Sequence, residues 1–498
     1  MRLLYYIIWL IPFTASGQWR LADVFTDHMV FQQQAPIRIW GYGLPGERVE
    51  GLLDRDHVTT VVNRDSSWII EFKKKKFSFK PVSLTFMFPG KSITLQDVMI
   101  GDVWLCLGQS NMEWPMAKEQ HFNDERLLDT QPLLRWYNPV YAGKGIYGKP
   151  FTDSVMYYLK EDRFYKGRWQ VCDSNAMKTM SAVGYYFGKE IMEKRKVPIG
   201  LIHLAIGGAP LESFIDAQAL RHSPVFSYKV KEDWLHNEFL PVWIRERAIQ
   251  NIGHRYSAAE DSLGTAHPFR PGFAFAAFKS VTRMPIKGIL FYQGESNAQE
   301  EDRVREYKDM FALMVDDYRR QWNSPALPVY FVQLSSIDTI QYKSRLWPDF
   351  RNEQLKMLND VPHTGMAVSS DAGAPLDVHP VNKKIIGHRL ALWALNKTYG
   401  QNLLPSGPVV KNAIFENNKV ILSFRYSGRQ LLTSDHMSLR GFSFDGITEV
   451  SAGIYHKEVR IPCHNKPRYV YYNWKPYADG NLINDTSLPA STFKIKIQ

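Results

Sequence analysis

Four apolar runs in this chain each end in residues able to do chemistry together. The run Val103 to Leu107 leads into Gly108-Gln109-Ser110-Asn111-Met112, a tight strand-to-helix turn that presents a serine hydroxyl, the place for a nucleophile. The G-x-S-x-G elbow of ordinary α/β-hydrolases is not formed, because Met112 stands where its second glycine would be. A second run ends in Ile206-Gly207-Gly208-Ala209-Pro210. The missing side chains of Gly207 and Gly208 let a backbone N–H approach an oxyanion closely, although Gly-Gly after a strand is also an ordinary turn. A third ends in Gln293-Gly294-Glu295-Ser296-Asn297, which offers a carboxylate and, in Asn297, a candidate second oxyanion donor. The amides of Gln109 and Gln293 are candidate substrate contacts. The last run is followed by Asp371 and then by Asp377-Val378-His379-Pro380. Residues two apart in an extended segment project to one side, so Asp377 can hold the His379 imidazole while its other nitrogen faces Ser110. A single serine, or one histidine of the fourteen present, is usually a cap or a satisfied polar residue. A nucleophile, a base, an acid and oxyanion donors in successive loops are the parts of an acyl-transfer site.

The elements that must hold these loops follow from the hydrophobic pattern. Val103 to Leu107, Ile199 to Ile206, Ile286 to Phe291, Val329 to Leu334 and Met366 to Ser369 read as buried strands. Amphipathic helices lie between them: one carries Tyr307, Met310, Phe311, Met314, Val315 and Tyr318 at helical spacing, another Ile386, Leu390 and Trp393. Alternating strands and helices imply a mainly parallel sheet in an α/β domain over residues 101–402, whose active site sits in the loops at the carboxyl ends of the strands. Residues 215–271 carry no strand signal and read as an insertion; long insertions of this kind often cover a site. Before the α/β domain, residues 18–100 show short alternating segments such as Trp68-Ile69-Ile70-Glu71-Phe72 between turn residues. After it, residues 403–498 return to the same pattern in Val420-Ile421-Leu422-Ser423-Phe424 and in Val470, Tyr472 and Trp474. Both read as β-sandwich-like modules.

Composition agrees with several folded units. A chain of 498 residues is expected to form about three domains, and 45% hydrophobic with 22% charged residues is ordinary for globular proteins. Arg2, the apolar run Leu3 to Phe13 and Ala15-Ser16-Gly17 have the layout of a signal peptide over residues 1–17, which predicts a secreted or periplasmic protein. The run is shorter than the roughly 20 residues of a membrane-spanning helix, and no later stretch is long enough. Three cysteines, Cys106, Cys172 and Cys463, allow at most one disulfide and no Cys-rich metal site. A net charge of +11 favours an acidic partner only weakly, because the basic residues are scattered; nucleic acid is not expected, and Lys73 to Lys76 reads as a solvated turn.

The blocks G-Q-S-N-M-E-W from Gly108 to Trp114, Q-G-E-S-N from Gln293 to Asn297 and D-V-H-P from Asp377 to Pro380 resemble those of the sialate O-acetylesterase family within the SGNH hydrolases. The likeness extends to Phe25 through Gln33, to Ser181 through Gly188 and to the ending Asn481 to Asn484 with Leu488 to Ser491. It implies a flavodoxin-like SGNH domain and a serine esterase that removes acetyl groups from a carbohydrate without metal or cofactor. Ser110 is then the nucleophile, His379 the base, Asp377 the acid, and Gly207 and Asn297 the oxyanion donors. Where relatives usually read S-W-G-G-T-P, this chain has Ala205 to Pro210 as A-I-G-G-A-P, which bears on substrate preference. Many SGNH enzymes place the acid three residues before the histidine, where this chain has Leu376, so Glu295 stays open as a partner for His379. The rival substrates are other acetylated polymers such as xylan. A non-catalytic glycan binder would suit 13% aromatic residues but has no need of Ser110, Asn297, Asp377 and His379 together. A metal-dependent deacetylase lacks its H-E-x-x-H or similar cluster.

Overall fold

The computed structural model describes residues 19–128, 130–255 and 264–498; the expected signal peptide and part of the expected insertion lie outside them. At its centre is a mixed sheet of seven strands, in spatial order Trp169–Cys172, Gln131–Tyr137, Ile199–His203, Lys91–Gly108, Gly288–Tyr292, Val329–Val332 and Thr364–Ala367. All neighbours run parallel except Trp169–Cys172, which pairs antiparallel with Gln131–Tyr137. Every residue of Ile199–His203, Gly288–Tyr292, Val329–Val332 and Thr364–Ala367 is buried, which is why these strands read as continuous apolar runs. Two members of the sheet escaped the sequence reading. Gln131–Tyr137 contains Pro132 and the buried Arg135, whose guanidinium donates to Asp97 Oδ1 at 3.0 Å, and Trp169–Cys172 is only four residues long.

The expected helices are present as Glu301–Gln321, which buries Tyr307, Met310, Phe311, Met314, Val315 and Tyr318, and Lys384–Trp393, which buries Ile386, Leu390 and Trp393. Acidic Glu301 and Asp302 open the first of these and Arg319 and Arg320 close it, each matching the sign of the helix dipole at its end. Helix Glu301–Gln321 packs on Trp347–Asp360, and Lys384–Trp393 packs on Ala182–Arg195, whose start is capped by Ser181 Oγ accepting from the Gly184 N–H at 3.0 Å.

β-Rich regions adjoin both ends of the α/β part. The strand Lys91–Gly108 runs through residue 100, where the β pattern was expected to stop. Its first half pairs antiparallel with Ser78–Phe88 and its second half is the middle of the central sheet. This leaves no loose hinge between the two parts. Lys73 to Lys76 form a non-turn connection between strands, with Lys75 Nζ 3.1 Å from Asp56. At the other end, Val409–Glu416, Lys419–Arg425, Glu458–Pro462 and Gly453–Tyr455 make one sheet, and Phe442–Ser443, Tyr469–Tyr472 and Phe493–Lys496 another. The fully buried Arg351 on Trp347–Asp360 ties this region down by donating to Ser336 Oγ and to the carbonyls of Asn473, Lys475 and Pro476. The three cysteines are free thiols, and no helix among the described residues is long and apolar enough to cross a membrane.

Candidate active site

The geometry of the nucleophile begins at Gly108. Its φ of +134° is open to glycine and strained for other residues, and a Cβ there would lie 2.0 Å from the Tyr292 carbonyl oxygen. With no side chain in the way, neighbouring strands close up. The Gln109 N–H donates to Tyr292 O at 2.9 Å, and Gly108 O accepts from the Ile206 N–H at 2.9 Å. Three of the four chemistry-bearing loops are thereby pinned at one point, and the short helix Ser110–Glu113 starts from it.

The fourth loop brings the base. His379 Nε2 lies 2.8 Å from Ser110 Oγ, and the imidazole is stacked on Trp114 with ring centroids 5.3 Å apart. Asp377 is close but not tightly paired: its Oδ1 accepts the His379 backbone N–H at 2.8 Å and stands 3.6 Å from Nδ1, with 61% of the side chain exposed. Glu295 is instead buried and does not reach His379. Its Oε1 accepts from Asn111 Nδ2 at 2.5 Å, and its Oε2 has no hydrogen-bond partner among the described residues. Asn111 Nδ2 also donates to the Val378 carbonyl at 2.9 Å, and Asn111 Oδ1 accepts from the fully buried Lys383 Nζ. The residue next to the nucleophile therefore holds the residue next to the base. Asn111, Trp114 and Lys383 had no role in the sequence reading; their place at the site depends on contacts that no local pattern encodes.

Burial moves the ionisable groups in opposite directions. It raises the Glu295 carboxyl, lowers Lys383 to about 7 and lowers His379, the last with help from the positive charges of Lys383 and Lys118 and against the pull of Asp377. Lys383 is then charged over the acidic range in which His379 takes up its proton. kcat/KM should accordingly fall on the acid side along a limb below the ordinary imidazole value of about 6.5. Lys383→Met removes the repulsion and should shift that limb to higher pH; a limb that stays put or moves down would contradict this electrostatic link.

The oxyanion side differs from the sequence expectation. Asn297 Oδ1 accepts from the Leu211 N–H at 3.0 Å and from Gln293 Nε2 at 2.8 Å, so its Nδ2 faces Glu212, donating to Oε2 at 2.9 Å. Glu212 is itself buried and paired with the buried Lys229 at 3.0 Å. Asn297 is thus committed to a charged internal network and takes no part in the cavity wall, contrary to the donor role expected for it. The Gly207 N–H donates to Tyr141 Oη at 3.1 Å. The Gly208 and Ser110 N–H groups have no acceptor among the described residues. Gly208, at φ +78°, lines the cavity close to Phe269 and Trp243. Gln109 Oε1 accepts from Gln293 Nε2 and from the N–H groups of Gly294 and Ser296, which identifies that atom as the oxygen. Its amide nitrogen has no acceptor among the described residues, and Gln109 lines the cavity. Gln293, expected at the substrate, is buried behind Gln109 and bound by Tyr307 Oη at 2.6 Å. Asp371 is held in a bidentate pair with Arg389, at 2.6 and 2.7 Å.

Ser110 and His379 open onto a cavity of about 840 Å³. Segment 215–271 supplies Trp243, Arg247 and Phe269 to its wall, and Trp114, Tyr147 and Tyr342 add further aromatic surface. Among the described residues, no group of three or more His, Cys, Asp or Glu converges as a metal site.

Residues 274–394 match the family model described as carbohydrate esterase, sialic acid-specific acetylesterase. The sialate O-acetylesterase of Homo sapiens is 26% identical over 441 residues, covering 83% of this chain and 77% of that protein. The Mus musculus enzyme is 26% identical over 452 residues, covering 83% and 80%. The crystal structure of a carbohydrate acetylesterase from Xanthomonas citri matches with a TM-score of 0.78 and 27% identity, over 96% of this chain and 100% of that one. Residues 274–394 thus match the sialic acid-specific carbohydrate acetylesterase model, and the chain is similar to the sialate O-acetylesterases over most of its length.

Proposed function

We propose that this protein hydrolyses acetyl esters on sugar hydroxyls, with a sialic acid as the preferred sugar, through an acetyl group carried transiently on Ser110. The 2.8 Å contact between Ser110 Oγ and His379 Nε2 carries the reading. The relationship to sialate O-acetylesterases and to a carbohydrate acetylesterase of the same fold supports the substrate class. His379 Nε2 takes the hydroxyl proton as Oγ bonds to the acetyl carbonyl carbon. The carbonyl oxygen becomes an anion, met by the N–H groups of Ser110 and Gly208 and by the Gln109 amide, each such donor stabilising it by roughly 2.7 to 4 kcal/mol. The carbon–oxygen bond to the sugar then breaks, and His379 returns the proton to the departing sugar oxygen. Water, deprotonated by His379, attacks the acetyl-serine and releases acetate. Asp377 favours the charged imidazole through Nδ1.

On this reading the α/β part is an SGNH-type domain over residues 101–402 between β modules at 18–100 and 403–498, in a protein exported after loss of residues 1–17. Acetate release from O-acetylated N-acetylneuraminic acid and from acetylated xylo-oligosaccharides tests the function. Faster release from the sialic acid is expected. Preference for xylan would change the sugar and keep the chemistry, whereas binding without release from any acetylated sugar would end the esterase reading.

A further inference from the structure

We propose that Arg247 is the residue that selects acidic sugars, by taking the carboxylate of the acetylated sugar in a two-pronged hydrogen bond; this rests on the esterase reading above. The cavity beside Ser110 contains both signs of charge, but most of that charge is already matched. Glu113 is paired with Lys144 at 3.1 Å and accepts from Tyr141 Oη at 3.2 Å. Glu295 is bound to Asn111 beside the buried Lys383. Arg247 is different: it lines the cavity and has no hydrogen bond or ion pair among the described residues. It lies against an aromatic face, the guanidinium carbon 5.8 Å from the centroid of the Tyr147 ring. A guanidinium held over a ring keeps its planar set of N–H donors available, and that fork matches a carboxylate.

Arg247 reaches the cavity from a helix that packs against Gly208. It lies on the helix Val242–Ile252, one turn after Trp243, so the two residues share a face. Trp243 is anchored there by its Nε1 donating to Ser296 O at 3.2 Å, and its ring lies against Gly208. Gly208 is the glycine whose N–H is open beside the nucleophile, so the helix that carries Arg247 is docked on the oxyanion loop. Lys118, held over Trp114 at 5.4 Å, adds a second positive charge to the same cavity wall. A neutral acetylated sugar has nothing to offer these cations, whereas a sugar acid supplies the missing anion.

The test compares wild type, Arg247→Met and Arg247→Lys on three substrates: O-acetylated N-acetylneuraminic acid, its carboxyl methyl ester, and nitrophenyl acetate. Arg247→Met should raise KM for the free acid by about ten- to a hundredfold, the worth of a charge-assisted hydrogen-bond pair, with kcat little changed. It should leave the methyl ester and nitrophenyl acetate as they are in wild type, and Arg247→Lys should recover part of the loss. Equal losses on all three substrates, or none on the free acid, would overturn the assignment. Wild-type protein that cleaves the free acid and its methyl ester alike would overturn it too, leaving the esterase function intact. Wild-type protein inactive on every ester would instead remove the function itself.

Discussion

Alanine at Ser110 should leave a folded protein in which kcat for acetate release is lower by about six powers of ten, the scale on which losing one member of a coupled serine–histidine unit removes the action of the whole. The side chain of Ser110 bonds His379, and the residue lies in the cavity wall outside the packed core, so removing Oγ creates no void. Acetate release and the thermal midpoint, measured together, separate lost chemistry from lost fold. Rapid quenching of the wild type with a good acetyl donor should find acetyl on the peptide containing Ser110. Near-parental turnover in Ser110→Ala would move the nucleophile elsewhere. Ser296 is the next serine in the wall, but its Oγ donates to Gly208 O at 2.9 Å and has no histidine beside it.

The second large effect concerns which carboxylate supports His379. Asparagine in place of a buried triad aspartate costs about ten-thousandfold, because the amide stabilises the wrong tautomer and not the imidazolium. Asp377 is exposed and 3.6 Å from Nδ1, so water screens part of its influence, and an asparagine would still accept the His379 backbone N–H. Asp377→Asn should therefore reduce kcat by about a thousandfold, short of the buried case. Glu295→Gln should reduce it by about tenfold or less, since a glutamine oxygen can still accept from Asn111 and no charge next to the imidazole is lost. The double variant should show nearly the product of the two losses, as for groups that act separately. If Glu295→Gln is the more damaging single change and Asp377→Asn is almost silent, the roles of the two acids are exchanged.

The strands that build the centre were legible because both faces of a parallel sheet are buried, which forces apolar runs such as Ile199–His203 and Gly288–Tyr292. The helix Glu301–Gln321 was legible because one face must be apolar at a period of 3.6 residues. Gln131–Tyr137 was not, because the charge of Arg135 is compensated by Asp97 and by the carbonyls of His28, Asp97 and Pro132, which lie far off or carry no residue-type signal.

The chemistry divides in the same way. Residue types and their order along the chain were enough to make Ser110, Gly207 or Gly208, His379 and one of Asp377 and Glu295 candidates, since a loop that follows a strand at its carboxyl end has few places to put its side chains. Which of several amides keeps an open donor at the cavity was a tertiary decision. Asn297 and Gln109 both stand in site loops, but the buried pair Glu212–Lys229 captures the first, while backbone N–H groups of the neighbouring loop hold the oxygen of the second and leave its nitrogen free. Glu295 is bound away from His379 likewise, by Asn111 reaching across to Glu295 and Val378. A hydrogen bond between residues 184 or 267 positions apart depends on how the strands stack and has no counterpart in local sequence. Periodicity and turn chemistry act over a few neighbouring residues, so they determine the elements and the loops between them; the partner of each polar atom is chosen only when those loops meet.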